Sequence, residues 1–144
     1  MTEIVLPEDT NAKGSIFGGR VLALVDKCAA IVAMRHARAE VVTATVDSVA
    51  FLNKVHVGNV LMLSGRINAA FGSSMEIEVS VHSEDPETGE RKLTTTALVT
   101  MVAVDGRGRP RPVPRLRLTS AEDRRRAAAA DARRRARLAA RTGG

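Results

Sequence analysis

The chain has no tryptophan and no tyrosine, only three phenylalanines and a single cysteine in 144 residues. One thiol, Cys28, cannot form an internal disulfide, which fits a reducing compartment. Aromatics this scarce give no platform for stacking single-stranded bases. No apolar run reaches the roughly 20 residues that a membrane-spanning helix needs. The N-terminal MTEIVLPEDT lacks the basic-then-apolar pattern of a secretion signal. These absences together lead to the expectation of a cytoplasmic protein. The motif G-x-S-x-G is missing, which removes the serine nucleophile elbow. His36, His56 and His82 stand apart without metal-ligand spacing. Neither a bound metal nor a resident cofactor is expected.

What is present is unevenly distributed. The net charge of +6 is a property of the tail. From Arg115 to Gly144 there are ten arginines against three acids, while residues 1–114 are close to neutral. The expected division is a domain over 1–114 and a basic Arg/Ala-rich tail over 115–144. In the tail, Thr119-Ser120-Ala121-Glu122 has capping-box spacing. The run after it has high helix propensity but one large apolar residue, Leu138. Such a segment reads as a solvated, fraying helix or as disorder.

Within 1–114 the periodicities predict one short strand, one long helix and four long strands. TEIVL at 2–6 suits an edge strand closed by Pro7, and EDTNAKG is built from turn-forming residues. Gly18 to His36 predicts a helix that is apolar nearly all round, so something must wrap it. The segments 41–52, 60–71, 75–82 and 93–104 predict strands joined as hairpins. In 41–52, Val42, Ala44, Val46, Ala50 and Leu52 fall on one side. Val49 and Phe51 fall on the side begun by Thr43, Thr45 and Asp47, which suggests a bulge near Asp47 or burial of both faces. The expected fold class is α+β, an antiparallel sheet curled around one buried helix. The outer sheet face, with Thr43, Thr45, Val49 and Phe51, then needs water or another subunit.

The candidate chemistry lies at the mouth of that helix. A helix N-terminus offers unpaired N–H groups and partial positive charge, and glycine lets a ligand approach the backbone closely. Gly18 and Gly19 therefore suit an oxyanion, although glycines there also simply permit a tight loop-to-helix entry. Two turns further in stands Asp26, whose neighbours at i−4, i+3, i+4 and i+7 are Leu22, Ala29, Ala30 and Ala33. A carboxylate on so apolar a face is either salt-bridged to another element or held partly dry as a general base. Asn11, in the preceding loop, is either an Asx-turn former or a third site residue.

The run LPEDTNAKGSIFGGRVLALVDK, followed by VVTATVDSVAFLNKVHVGNVL and TTTALVTMVAVDGRGRPRPVP, resembles bacterial acyl-CoA thioesterases of the hotdog fold. The similarity is to their YciA-like group and the animal brain-type acyl-CoA hydrolases, over residues 4–114. The most specific pieces are Pro7-x-Asp9-x-Asn11-x-x-Gly14, Phe17-Gly18-Gly19, Asp26 and Val102-Ala103-Val104-Asp105. The resemblance implies a hotdog domain with a five-stranded antiparallel sheet that hydrolyses acyl-CoA to free acid and coenzyme A. It implies a catalytic pair matching Asn11 and Asp26 from different hotdog units, with Asp26 as general base or nucleophile. It implies an oxyanion hole at Gly18 and Gly19, and coenzyme A contacts at Gly72, Ser73, Ser74 and Arg91. Coenzyme A is then part of the substrate. The implied assembly is a homo-oligomer, a dimer at minimum and a trimer of dimers, hence a hexamer. Arg20 stands where the family commonly has an aromatic residue, and the arginine-rich tail lies outside the shared pattern.

Three alternatives share parts of this reading. A catalytically silent hotdog protein would bind acyl-CoA without turnover. A nucleic-acid-associated protein would act through the arginine clusters at 124–126 and 133–135, although the lack of aromatics opposes it. A hotdog dehydratase would want a histidine on the helix near Asp26, where none stands.

Overall fold

The computed structural model describes residues 1–143. Strand β1 (Thr2–Ile4) leads through a single 3-10 turn (Pro7–Asp9) to helix α1 (Gly18–Ala37). Four long strands follow: β2 (Glu40–Phe51), β3 (Val60–Phe71), β4 (Ser74–Glu84) and β5 (Arg91–Val104). Helix α2 (Ala121–Gly143) completes the described residues. All strand pairs are antiparallel and the sheet order is β1-β3-β4-β5-β2.

The sheet curls around α1, as the apolar helix requires. Val21, Leu24, Val25, Cys28, Ala29, Ala33 and Ala37 form the buried stripe of the helix. They meet Leu61, Leu63, Met75, Ile77, Val79, Val81, Val99 and Met101 on the inner sheet face. Approach is closest at Gly65, where a Cβ would lie 2.8 Å from Val32 Cγ2; the missing side chain lets helix and sheet pack this tightly. Burial raises the Cys28 thiol above its ordinary pKa, leaving it an inert core residue. Away from the buried stripe Ala23, Lys27 and Met34 are exposed, and so is Leu22 near the start of the helix.

Strand β2 carries two bulges, one between Thr43 and Thr45 and one between Asp47 and Ala50. The second, where Ser48 takes φ 51°, lies at the expected position. The first was unforeseen, and it reverses the faces. Thr43 pairs with the inward residue Met101 and points at α1, whereas Thr45 pairs with Thr100 and points out. After the second bulge Val49 packs on the core and Phe51 reaches Gly18 at the start of α1. Thr43, Val49 and Phe51 therefore do not belong to the outer face assigned from alternation.

The tail departs furthest from expectation. The helix expected in the tail is present, but it does not stand free in solvent: α2 lies across the outer face of the sheet. Arg126, Ala130, Arg133 and Arg137 follow i, i+4, i+7, i+11 spacing and so share one helix face. Ala130 is fully buried, and the arginines meet acids that the outer sheet face presents. Arg126 Nη2 donates to Glu78 at 2.6 Å and its Nε to Asn68 at 3.2 Å. Arg133 grips Glu76 with two bonds, of 2.6 and 3.1 Å, and Arg137 reaches Asp47 at 3.4 Å. Glu76 is only 1% exposed. Burial alone would raise its pKa, but hydrogen bonds from Arg133 and Asn68 and the charges of Arg133 and Arg137 outweigh this and hold it below its ordinary value.

Candidate active site

The loop before α1 is organised by Asp9. Its Oδ2 accepts from Leu6 N at 3.0 Å, its backbone oxygen accepts from Phe17 N at 3.0 Å, and its Oδ1 lies 3.1 Å from Arg20 Nε. Arg20, the departure from the family pattern, thus clamps the loop to the first turn of the helix. Within the clamped loop Asn11 closes an Asx turn. Its Oδ1 accepts from Lys13 N at 2.9 Å and Ser15 N at 3.2 Å. With Oδ1 turned to the backbone, the Nδ2 group of this exposed residue keeps its donors without a partner among the described residues. The turn-former and site readings of Asn11 are therefore compatible.

Phe17 precedes the helix and offers no side-chain cap. The amides of Gly18 and Gly19 open the first turn, and neither has an acceptor among the described residues. A Cβ on Gly19 would meet nothing within 4 Å, so its backbone is open to a ligand. A Cβ on Gly18 would lie 3.5 Å from the Phe51 ring, which walls one side of the helix mouth.

Asp26 is half-buried and has no salt bridge among the described residues. Its Oδ1 accepts instead from the Thr43 hydroxyl at 2.6 Å. That is a short charge-assisted bond, and it fixes the carboxylate while leaving Oδ2 available. Thr43 escaped the sequence reading because the bulge after it was not foreseen, so strict alternation placed it on the wrong face.

One chain does not bring these groups together. Gly19 and Asp26 are seven residues apart on one helix, about 10 Å along its axis. A thioester carbonyl held on the glycine amides cannot also touch the carboxylate of the same helix. No contact joins Asn11 to Asp26, and the cavities of about 250 to 450 Å³ elsewhere on the chain have neither in their walls. The expected coenzyme A residues also separate. Gly72, at φ 54°, and Ser73 form the β3–β4 turn and Ser74 opens β4; Val113 N donates to Gly72 O at 2.8 Å. Arg91 pairs with Glu84 at the far end of β4, roughly 33 Å along the strand.

A curled five-stranded antiparallel sheet around one long helix is the hotdog fold. Residues 13–90 match the model of the thioesterase superfamily, and the chain belongs to that family. Among curated relatives, YkhA of Bacillus subtilis, described as an uncharacterized acyl-CoA thioester hydrolase, is 43% identical over 107 residues. That match covers 74% of this chain and 62% of YkhA, so the chain spans somewhat less than two thirds of that relative. A hexameric acyl-CoA thioesterase of known structure is 48% identical, with TM-score 0.90, over 96% of this chain and 88% of its own. An acyl-CoA hydrolase from Staphylococcus aureus, solved with butyryl coenzyme A, coenzyme A and coenzyme A disulfide, is 35% identical with TM-score 0.88. It is matched over 99% of this chain and 87% of its own. These spans reach into α2, so a C-terminal helix lies within the shared architecture although the tail fell outside the sequence resemblance.

Proposed function

We propose that this chain is an acyl-CoA thioesterase that hydrolyses acyl-CoA to a free carboxylic acid and coenzyme A at a site shared between two chains. The observation behind this reading is the 10 Å offset between amides and carboxylate. Asn11, Gly18 and Gly19 of one chain face Asp26 and Thr43 of another. The amides and the Asn11 Nδ2 group hold the thioester oxygen as negative charge develops on it. Asp26 Oδ2 takes a proton from water, the water oxygen attacks the carbonyl carbon, the C–S bond breaks and the thiolate is protonated. In the nucleophilic form of the same mechanism Asp26 attacks directly, forming an anhydride that water then opens. A single turnover in heavy-oxygen water that left label in Asp26 would establish the second form, because general-base hydrolysis, like opening of the anhydride at the acyl carbon, puts the label in the product acid alone.

The S. aureus hydrolase supports the residue set. It has been solved as alanine variants at one asparagine, one aspartate and one threonine. In that protein the aspartate follows the asparagine by 15 positions and the threonine follows the aspartate by 17. The same intervals separate Asn11, Asp26 and Thr43 here.

The exposed side of α1 and the 12-residue edge strand β2, with Val42 46% and Val46 42% exposed, call for a second copy. A hexamer built from dimers is the proposed assembly, and hexameric relatives of known structure support it. No helix among the described residues is long and apolar enough to cross a membrane, and a cytoplasmic location is proposed. A nucleic-acid role for the tail loses ground, because Arg126, Arg133 and Arg137 are bonded to the chain's own sheet.

The direct test is a panel of acyl-CoA chain lengths with thiol detection. Turnover on at least one member is expected. Binding of coenzyme A with no turnover on any member would reassign the chain as a silent acyl-CoA-binding protein.

A further inference from the structure

Arg20 is where this chain departs from its family's pattern, and the mechanism above gives it no part. The side chain reaches out of the first turn of α1 in two directions. Nε lies 3.1 Å from Asp9 Oδ1, and Nη2 lies 4.0 Å from Glu3 Oε2 on β1. The Arg20 side chain is 42% exposed but that of Asp9 only 14%, so the Asp9 pair is open to solvent from one partner alone.

Asp9 is the joint between loop and helix. Its carboxylate also accepts from Leu6 N, and its backbone oxygen accepts from Phe17 N, each at 3.0 Å. Two residues further along stands Asn11. The returning limb of the loop is fastened elsewhere. Ile16 N donates to Val55 O at 2.8 Å, and Gly14 O accepts from Val57 N at 3.2 Å, both in the β2–β3 connection. The limb that carries Asn11 therefore takes its position relative to the Gly18 and Gly19 amides from Asp9. Among the described side chains of α1, Arg20 is the one that holds Asp9.

Asn11 and the two amides converge on one oxygen in the proposed mechanism, and such convergence is sensitive to displacements of about 1 Å. We propose that Arg20 is a positioning residue for the hydrolysis. Through Asp9 it sets the Asn11 donor against the amides of its own chain, and so governs turnover at the Asp26 of another. The proposal rests on the acyl-CoA reading above. Arginine suits the task because its separate nitrogens address Asp9 and Glu3 in a fixed plane, which a single ammonium cannot do.

The first test is Arg20→Met, which keeps an unbranched side chain and removes its charge and donors. kcat is expected to fall about three- to tenfold, the scale of a partly exposed ion pair, with KM unchanged. Arg20→Lys should recover part of the loss. Poor folding would also lower kcat, so the deciding experiment places Arg20→Met in one kind of chain at a time. In a mixture of Asp26→Ala and Asn11→Ala chains, each working site draws Asn11 from the first kind and Asp26 from the second. Arg20→Met added to the Asp26→Ala chain should lower the restored activity by the same factor as in the intact enzyme. Added to the Asn11→Ala chain, it should leave the restored activity as it was. Equal effects in the two arrangements, or none in either, would overturn the proposal. Nitrogen-15 spectra of the full chain read the linkage without turnover. The Asn11 side-chain amide signals should move or broaden in Arg20→Met and return in Arg20→Lys. Unchanged signals would refute the positioning even if hydrolysis is confirmed. Displaced signals with no hydrolysis of any acyl-CoA would uphold the link from Arg20 to Asn11 and sink the enzymatic reading.

Discussion

In the proposed mechanism Asn11 and Thr43 each act through a single hydrogen bond, and both assignments can be tested by changing one atom or group. In Asn11→Asp the side-chain oxygen still accepts from Lys13 and Ser15, so the loop keeps its turn, but the Nδ2 donor is gone. Loss of about two orders of magnitude in kcat is expected with an unchanged melting temperature, the scale for removing one oxyanion donor. A fully active aspartate variant would make Asn11 a loop former only. Thr43→Val removes the hydroxyl that holds Asp26. A bond to a charged group contributes about 1.5–3 kcal/mol, so kcat should fall about 10- to 100-fold, and Thr43→Ser should recover most of it. Equal kcat in the valine and serine variants would show that the bond is incidental. Asp26 stood out in the sequence as a candidate because a lone carboxylate in an apolar helix is chemically expensive. Thr43 was not, because a bulge adds one residue to a strand without any compositional mark and inverts every face assignment behind it.

At the scale of elements, the fold was legible wherever hydrophobic periodicity had one interpretation. The long apolar helix and the existence of four long strands were of this kind, whereas the faces of β2, which had two interpretations, were not. α2 was misread because its buried face is made of arginines and alanine instead of leucines. The signal was present in the spacing of Arg126, Ala130, Arg133 and Arg137, but its meaning depends on Glu76, Glu78 and Asp47, which only the sheet brings into register. The arginine stems cover the sheet while their heads pair with its acids. Glu76 carries the sharpest consequence. Arg133→Ala leaves a carboxylate buried without its main partner and should destabilise the chain by about 2–3 kcal/mol in urea unfolding at neutral pH. Because the folded chain holds Glu76 below its ordinary pKa of 4.5, its contribution is complete above that pH and declines as the pH falls through the lower native value. Wild type should therefore lose more stability than Glu76→Gln between neutral pH and about pH 3. Parallel stability curves for the two proteins would mean that Glu76 is not held in its charged form by α2.

For the whole molecule, the central claim is that no single chain holds a complete site. The helix that offers the amides also carries the carboxylate, and its own length keeps the two apart. The exposed side of α1 and the open edge of β2 supply the surfaces through which a second chain can approach. The sequence already placed the glycines and Asp26 on one helix from Gly18 to His36, so the offset follows from the rise per residue, whereas the sharing of the site between chains was implied by the family resemblance alone. The measurement that tests it most directly mixes two inactive proteins, Asn11→Ala and Asp26→Ala, after verified subunit exchange. In a random equal mixture about one site in four receives an intact Asn11 from one chain and an intact Asp26 from another. Recovery of about a quarter of wild-type activity is the predicted result. A fully exchanged mixture that stays as inactive as either variant alone would contradict the shared site.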